Sequence, residues 1–452
     1  MDSKHKKSSQ EYLIVQYFVI QACGLAVNWL QLTQQAKVRG MKNNKISNLA
    51  QGLKVATGAL LVSGPFFIQN AYGVGLQLMP GSPNFGTAGA GHAAIGLGAG
   101  SAWANPATMV LVKDQQVAGG LIAAQTDLQF SADDETLNSG GNAGGEIFIP
   151  SFAYTNQLSD QLSAGFAFVV PFGNSIDYDD DWAGSNIATY ASLQTLQAMP
   201  SVAYRFNDQV SLGFGLTINE TSVEQELTMQ LNPRLPSMDV ALEADSLDYG
   251  WTLGGLYEFD NNHRIGFVYR SMIESDLSGE GTLSDTTYDT TLNWENPASL
   301  VVSGYHQLNN QTAFLWDVGR TFYSEFEVTN VHVEGLMDLE LHRNWKDANR
   351  YAIGAHYQLN ESLTLQAGYS FDESPVETED RNADLPLDDI QRYTVGAMYQ
   401  LNPNTSLGLG LEYADLGNPR IEHNPDDGLF AAPSGEYDNQ AIATSLSVNY
   451  QF

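Results

Sequence analysis

Six charged residues, Arg205, Arg270, Asp317, Arg350, Arg392 and Glu412, carry most of the chemistry this sequence offers away from its loops. Each lies in a stretch where apolar and polar residues alternate, and each falls on the polar phase. Ile147, Ile149, Val169, Leu256, Met272, Val301, Leu315 and Met398 share that phase. A few charges set into an apolar lining suit a hydrophobic ligand with one polar end. A general water-filled pore would need opposing basic and acidic walls. Inward arginines and acids also have a plainer use, pairing with one another to hold whatever fills the interior, because an unpaired buried charge is costly. Both uses stay open, and Ile147, Ile149, Leu256, Arg270, Met272, Val301, Leu315, Arg350, Arg392 and Met398 are the candidate ligand contacts.

The elements that must position these residues are strands. Between Tyr393 and Tyr413, Val395, Ala397, Tyr399 and Leu401 alternate with Thr394, Gly396, Met398 and Gln400. After Asn402, Pro403 and Asn404 the alternation resumes, with Leu407, Leu409 and Leu411 against Gly408, Gly410 and Glu412. Period two on both sides of a tight turn is a β-hairpin. One face is apolar and ends in tyrosines, the other is small or polar, and such strands of about 10 residues suit a barrel in a bilayer. The same turn recurs after Tyr204-Arg205-Phe206, Tyr257-Glu258-Phe259, His306-Gln307-Leu308 and Tyr357-Gln358-Leu359, each closed by Asn or Asp. These tips are expected at one membrane interface, where amphipathic rings are favoured. The final strand, Ile442 to Phe452 with an aromatic last residue, resembles the C-terminal signature of bacterial outer-membrane barrels.

Charge narrows the partners. The chain of 452 residues has a net charge of −32; its first 71 residues hold 8 of the 20 basic and 2 of the 52 acidic ones. Such acidity argues against nucleic-acid binding, which needs a basic surface. It fits acidic extracellular loops, with divalent cations between them and anionic outer-membrane lipid and lipopolysaccharide. Cys23 is the single cysteine, so no thiolate metal site is available in the barrel, and neither metal nor cofactor is expected. Gly89, Gly91 and Ala94 mimic a dinucleotide fingerprint without its strand or ribose-binding acid. Asp177, Asp179, Asp180 and Asp181 lack the glycine and twelfth-position acid of a calcium loop. No histidine lies in a recognisable nucleophile motif, so the chain reads as a non-enzyme.

Met41 opens a second possible start: Lys42, Lys45 and Lys54 precede the apolar stretch 55–68, and Ala71 offers a cleavage position. That is the layout of a signal peptide over residues 41–71. Residues 1–40 read as an upstream extension or a mis-assigned start.

Residues 72–114 are rich in Gly and Ala and not strand-like, and include Asn105-Pro106-Ala107. This stretch resembles the N-terminal hatch of the FadL-type long-chain fatty acid and hydrophobic-compound transporter family of the outer membrane. The likeness continues through Pro171-Phe172-Gly173 with Tyr178 and Trp182, Ala203 to Asn207, Val302 to Tyr305, Lys346-Asp347 with Arg350, and Phe371 to Val376 with Arg381. It keeps one order over residues 72–452. The resemblance implies an all-β fold, a 14-stranded antiparallel transmembrane β-barrel over 115–452 with the hatch of 72–114 inside it. An independent count of alternating segments, from 116–132 to 438–452, also gives 14, and an even number brings both barrel ends to the periplasmic side.

Leu162, Ala164, Phe166, Phe168, Val170 and Phe172 of the third strand read as lipid-facing, but proline cannot donate to a ladder, so Pro171 predicts a break or bulge there. The family kinks this strand inward near its Asn-Pro-Ala motif, which implies a lateral opening and makes Asn105, Pro106, Ala107, Val169, Val170, Pro171, Phe172 and Gly173 the gating set. The family's carboxylate-binding basic residues would fall at Thr221 to Leu227, which lacks a cation, and at Leu341-His342-Arg343. Leu231, Leu235, Pro236 and Met238 are candidate capture residues in an extracellular loop. The reading is a monomeric outer-membrane channel for passive uptake of hydrophobic molecules. Long-chain fatty acids come first and alkane or aromatic hydrocarbons second; a barrel-anchored receptor or adhesin is the alternative.

Overall fold

The computed structural model describes residues 82–229, 236–325, 328–422, 431 and 433–452. The expected signal peptide, the extension before it, and Leu231 and Leu235 lie outside the described residues. Fourteen strands run antiparallel in chain order. β1 is Gln115–Ala132, β2 is Glu146–Gln157, and β3 is Leu162–Val169 resumed as Gly173–Asp177. β4 (Tyr190–Arg205), β5 (Val210–Met229) and β6 (Met238–Glu258) follow. β7 (His263–Arg270, then Ile273–Leu283) and β8 (Thr286–Asn296, then Ser299–Gln307) are interrupted. So are β9 (Thr312–Thr321, then Val328–Val333) and β10 (Met337–His342, then Ala348–Asn360). β11 (Leu363–Asp372), β12 (Ile390–Asn402), β13 (Thr405–Asp415) and β14 (Gly435–Gln451) complete the wall. β14 pairs with β1 from Gln451↔Gln116 to Gly435↔Ala132, so the sheet closes and leaves no edge at the seam.

The repeated Asn/Asp turn has a local cause. Asn207, Asp260, Asn309 and Asn360 each accept, through Oδ1, the N–H of the second and third residues beyond them. This side-chain mimicry of a backbone turn holds the short connections. Above the turns, Tyr204, Phe206, Tyr257, Phe259 and Tyr399 stand exposed on the outer face. A second exposed girdle contains Tyr249, Trp251, Tyr351, Tyr393 and Tyr413. Tyr249 on β6 and Phe259 just past its end are ten residues apart, roughly 33 Å of extended chain, or about 25 Å of height at the usual tilt. That matches the apolar band of an outer-membrane barrel.

The hatch fills the end of the lumen nearest the short turns. It is a chain of 3-10 turns (Phe85–Thr87, Gly98–Gly100, Pro106–Leu111) around one helical turn, Ser101–Ala104. Inward glycines of the wall make its seat. A Cβ on Gly213 would strike the Ala107 backbone nitrogen, on Gly254 the Asn105 side chain, on Gly266 the Ala93 carbonyl, and on Gly368 the Thr87 backbone. At Gly213, Gly266 and Gly368 backbone therefore rests on backbone, which only glycine permits at such separations.

The faces assigned from period two hold on most strands. Leu212, Phe214 and Leu216 are exposed while Ser211, Gly213 and Gly215 are buried. A correction arises at the break in β3. Val170 and Phe172, read as lipid-facing, turn inward: Val170 is 1% exposed and packs with Phe85, Ile147 and Ile149. Three residues of β3 (Val170, Pro171, Phe172) oppose two of β4 (Leu196, Thr195) between the flanking pairs Val169↔Gln197 and Gly173↔Gln194. One extra residue exchanges the two faces beyond it. Met272, read as a lumen residue, falls in the break of β7; beyond it the buried positions are Ile273, Ser275 and Leu277.

Candidate functional site

The lumen is built in three layers above the short turns. In the lowest, the hatch is tied to the wall by the inward charges. Asp317 Oδ1 accepts the N–H of Gly91 at 2.7 Å, and Ser303 Oγ accepts that of Ala93 at 2.9 Å. Arg350 donates to the Ala88 carbonyl at 2.5 Å, and Arg205 to that of Val110 at 3.3 Å. Arg270 donates to the carbonyls of Trp103 (2.9 Å) and Ala104 (3.3 Å), and its guanidinium lies 4.3 Å from the Trp103 ring centroid. The plainer reading of these charges therefore describes Arg205, Asp317 and Arg350, while Arg270 grips the hatch through its backbone and the Trp103 ring. Arg392 bonds Asp372 and lies 3.8 Å from Glu412, forming with Arg350 and Asp372 (2.9 Å) a connected charge layer on top of the hatch. Within the hatch, burial aided by Arg270 and Arg350 pushes the His92 imidazole down to about 3. That ring is neutral at neutral pH.

Asn105-Pro106-Ala107 is anchored on the wall through Gly213, Gly254 and Gly255. Asn105 Nδ2 donates to the Ala93 carbonyl (2.6 Å) and the Gly255 carbonyl (3.0 Å), while its Oδ1 caps the Ala107 N–H at 3.0 Å. The motif thus rests on β5 and β6. The turn that follows it reaches β3, where Met109 lies against Gly165 and shares a buried cluster with Ala107, Ala167 and Val169. At the bulge, Thr195 holds the Phe172 backbone: its Oγ1 accepts the Phe172 N–H at 3.2 Å and its N–H donates to the Phe172 carbonyl at 3.1 Å.

The wall is incomplete beside that bulge. β2 pairs with β3 only from Gln157↔Ser163 to Phe152↔Phe168. The second segment of β3 pairs with β4 alone among the described residues, so Glu146–Pro150 of β2 ladders with β1 only. A closed barrel satisfies every wall group except where it opens onto a cavity or is covered by other protein. Behind this stretch lies a cavity of about 40 Å³, lined by Ser151, Phe152, Val169, His92 and Trp103 among others.

The uppermost layer is apolar. Leu128, Phe130, Ile176, Trp182, Leu193, Leu277, Leu292, Trp294, Leu385 and Tyr437 form one buried cluster, to which both strands and loops contribute. Tyr178 stacks on Trp182 (centroids 4.0 Å apart), shares a 2.7 Å hydrogen bond with Tyr437 and donates to the Ala383 carbonyl. Arg381 gathers the 373–389 loop, donating to the carbonyls of Leu387, Arg420 and Val376. Beside this loop, Leu193, Val223, Leu242, Leu292 and Trp294 line a cavity of about 60 Å³, with an Arg343–Asp384 ion pair of 2.8 Å at its side. Ligand sites for extended hydrophobic molecules measure hundreds of Å³, so this cavity must widen to admit one.

The candidate contacts fall in different layers. Ile147 and Ile149 pack with Val170 behind the open stretch, and Leu256 and Leu315 pack on the hatch. Arg270, Val301, Arg350 and Arg392 line a cavity of about 60 Å³ on top of the hatch, and Met398 lines a polar cavity of about 330 Å³ below it. Met272 lines none of these four cavities. Of the capture residues, Pro236 is exposed and Met238 half-buried at the start of β6. Sequence reasoning passed over Trp103, His92 and Asp384. Trp103 has a visible signal, a large aromatic inside a Gly/Ala run.

A closed 14-stranded barrel with two outer aromatic girdles and a plug seated on inward glycines defines a plugged β-barrel of the bacterial outer membrane. Residues 69–452 match the family described as outer membrane protein transport protein (OMPP1/FadL/TodX), and the chain belongs to it. Among curated relatives, the "Long-chain fatty acid transport protein" of Salmonella typhi is 26% identical, over 75% of this chain and 87% of that protein. "Outer membrane protein P1" of Haemophilus influenzae is 27% identical, over 88% and 98% respectively. Among solved structures, a Pseudomonas aeruginosa FadL homologue superposes with a TM-score of 0.79 at 20% identity, over 84% of this chain and all of that one. The Ralstonia pickettii toluene transporter TbuX superposes with a TM-score of 0.66, also at 20% identity, over 83% of this chain and 99% of that one.

Proposed function

We propose that this protein is a channel for passive uptake of hydrophobic compounds across the outer membrane, with long-chain fatty acids the first substrate class. A molecule is captured at the loops and enters the apolar chamber under Tyr178, Trp182 and Tyr437. It then leaves sideways, between β2 and β3, into the bilayer. The observation that carries this reading is the stretch Glu146–Pro150 of β2, which ladders with β1 but, among the described residues, not with the bulged β3. The charge layer and hatch below the chamber oppose straight passage of an apolar chain, since apolar surface gains nothing by crossing charged groups. With no energy source on the path, release depends on affinity falling toward the opening.

One observation favours a second substrate class, neutral alkane or aromatic hydrocarbons. Arg343, the basic residue beside the upper cavity, is already paired with Asp384, and Thr221 to Leu227 supplies no cation. Uptake of labelled oleate and of labelled alkane or toluene, by a strain lacking its own route and expressing this chain, tests both. Saturable uptake of either above the empty-vector level supports the channel. Uptake of neither, in cells where the barrel is folded, removes it.

A further inference from the structure

The cavity beneath the hatch measures about 330 Å³, against about 60 Å³ for the cavity in the chamber and for the one on top of the hatch. Of these three, it alone reaches the size of a small-molecule site. Asn310 and Gln311, exposed in the turn between β8 and β9, form part of its rim, and the hatch residues Ile95 and Leu97 line it from the side of the chamber. The last strand ends at the same rim, where Asn404 donates to the Gln451 carbonyl at 2.8 Å, so the cavity lies on the periplasmic side.

Its charge is opposite in sign to that of the chain. Acids outnumber bases 52 to 20 in the sequence, yet the lining holds one cation, Arg264, and no Asp or Glu. Such a lining favours an anion and offers nothing to a cation. Arg264 is also unspent. Unlike Arg205, Arg270, Arg350 and Arg392, it makes no hydrogen bond among the described residues, and its buried Nε has no partner. Glu258 stands opposite it in the ladder but pairs with Arg205 at 3.3 Å. The Arg264 guanidinium lies instead over the Tyr305 ring, 4.4 Å from its centroid, and the Tyr305 hydroxyl donates to Gln307 at 2.5 Å. The ring therefore holds the cation in place without using its N–H groups. A planar guanidinium so placed matches a carboxylate in a bidentate pair, which would satisfy a buried donor that now has nothing.

We propose that this cavity is a second ligand site, facing the periplasm, in which Arg264 binds the carboxylate of a small water-soluble acid. The side-chain amides of Asn310 and Gln311 bond the polar body of that acid at the rim. The hatch separates it from the apolar chamber. This ligand differs from a hydrophobic uptake substrate in solubility and in side of approach, so the site stands independently of the uptake reading.

Saturation-transfer NMR on the purified full-length protein in a non-ionic detergent tests the site, with N-acetylglycinate as the acid and N-acetylglycinamide as its neutral counterpart. A heat-dependent shift in electrophoretic mobility reports that each barrel is folded. The wild type should bind the acid saturably and the amide about tenfold more weakly, the size of a lost charge-assisted bond. Arg264→Gln should weaken the acid about tenfold and leave the amide unchanged. Arg264→Lys, which keeps the charge without the fork, should fall between. Equal binding of acid and amide by the wild type, no saturable binding of the acid, or an unchanged or parallel response of the two in Arg264→Gln overturns the site. If Arg264→Gln does not fold, phenylglyoxal modification of Arg264 in the wild type replaces it: protection by the acid and not by the amide supports the site, and no protection overturns it.

Discussion

Asp317 and Arg350 act on the hatch as a pair, one taking the Gly91 N–H and the other donating to the Ala88 carbonyl. Replacing Asp317 by Asn should weaken the grip without emptying the site, a loss of about 1.5–3 kcal/mol for a bond to a charged group. Hydrogen exchange at Gly91 and Ala93 should then speed up by roughly 10- to 100-fold while the strands stay protected. Unchanged exchange would mean that Asp317 pairs with Arg350 only. Gly254 makes the steric version of the same claim: Gly254→Leu would drive a side chain into Asn105. The barrel should still show its heat-dependent mobility shift, with residues 85–110 losing protease protection. The sequence told which residues face inward, through period two, but not that inward Gly213, Gly254, Gly266 and Gly368 are a seat. A small residue reads the same whether it lines a wet pore or touches a plug.

At the level of elements, the wall and the loops differ in legibility for a physical reason. Strand identity, number and tilt follow from alternation and Asn/Asp turns, which are local. Pro171 likewise announced a break, since it removes a ladder donor. The inward turn of Val170 was missed because a bulge flips parity and nothing local says how many residues it inserts. Contacts between loops distant in sequence, such as Tyr178 with Ala383 and Tyr437 or Arg343 with Asp384, carry no periodic signal at all. Arg381 holds the 373–389 loop beside the chamber. Arg381→Ala leaves three carbonyls without that donor and should expose the loop to limited proteolysis and increase the on-rate of a fluorescent fatty acid several-fold. If cleavage and on-rate both match the wild type, the loop does not restrict entry.

For the whole molecule, the gradient runs from an apolar chamber through a charge layer to a hatch, and the break in the wall opens beside the hatch. Apolar surface favours the chamber by about 25 cal/mol per Å², so a hydrophobic molecule has a reason to enter and, below it, a reason to turn aside. Sealing the wall tests this most directly. Deleting Val170 and replacing Pro171 by Val removes the extra residue and restores the missing donor, so that β3 opposes β4 one to one and can continue its ladder with β2. Uptake of labelled oleate by cells expressing this variant, compared with wild type, is the measurement. Lateral release predicts that the sealed barrel still binds oleate but takes it up no faster than cells without it. Uptake at the wild-type rate through the sealed wall would contradict the account.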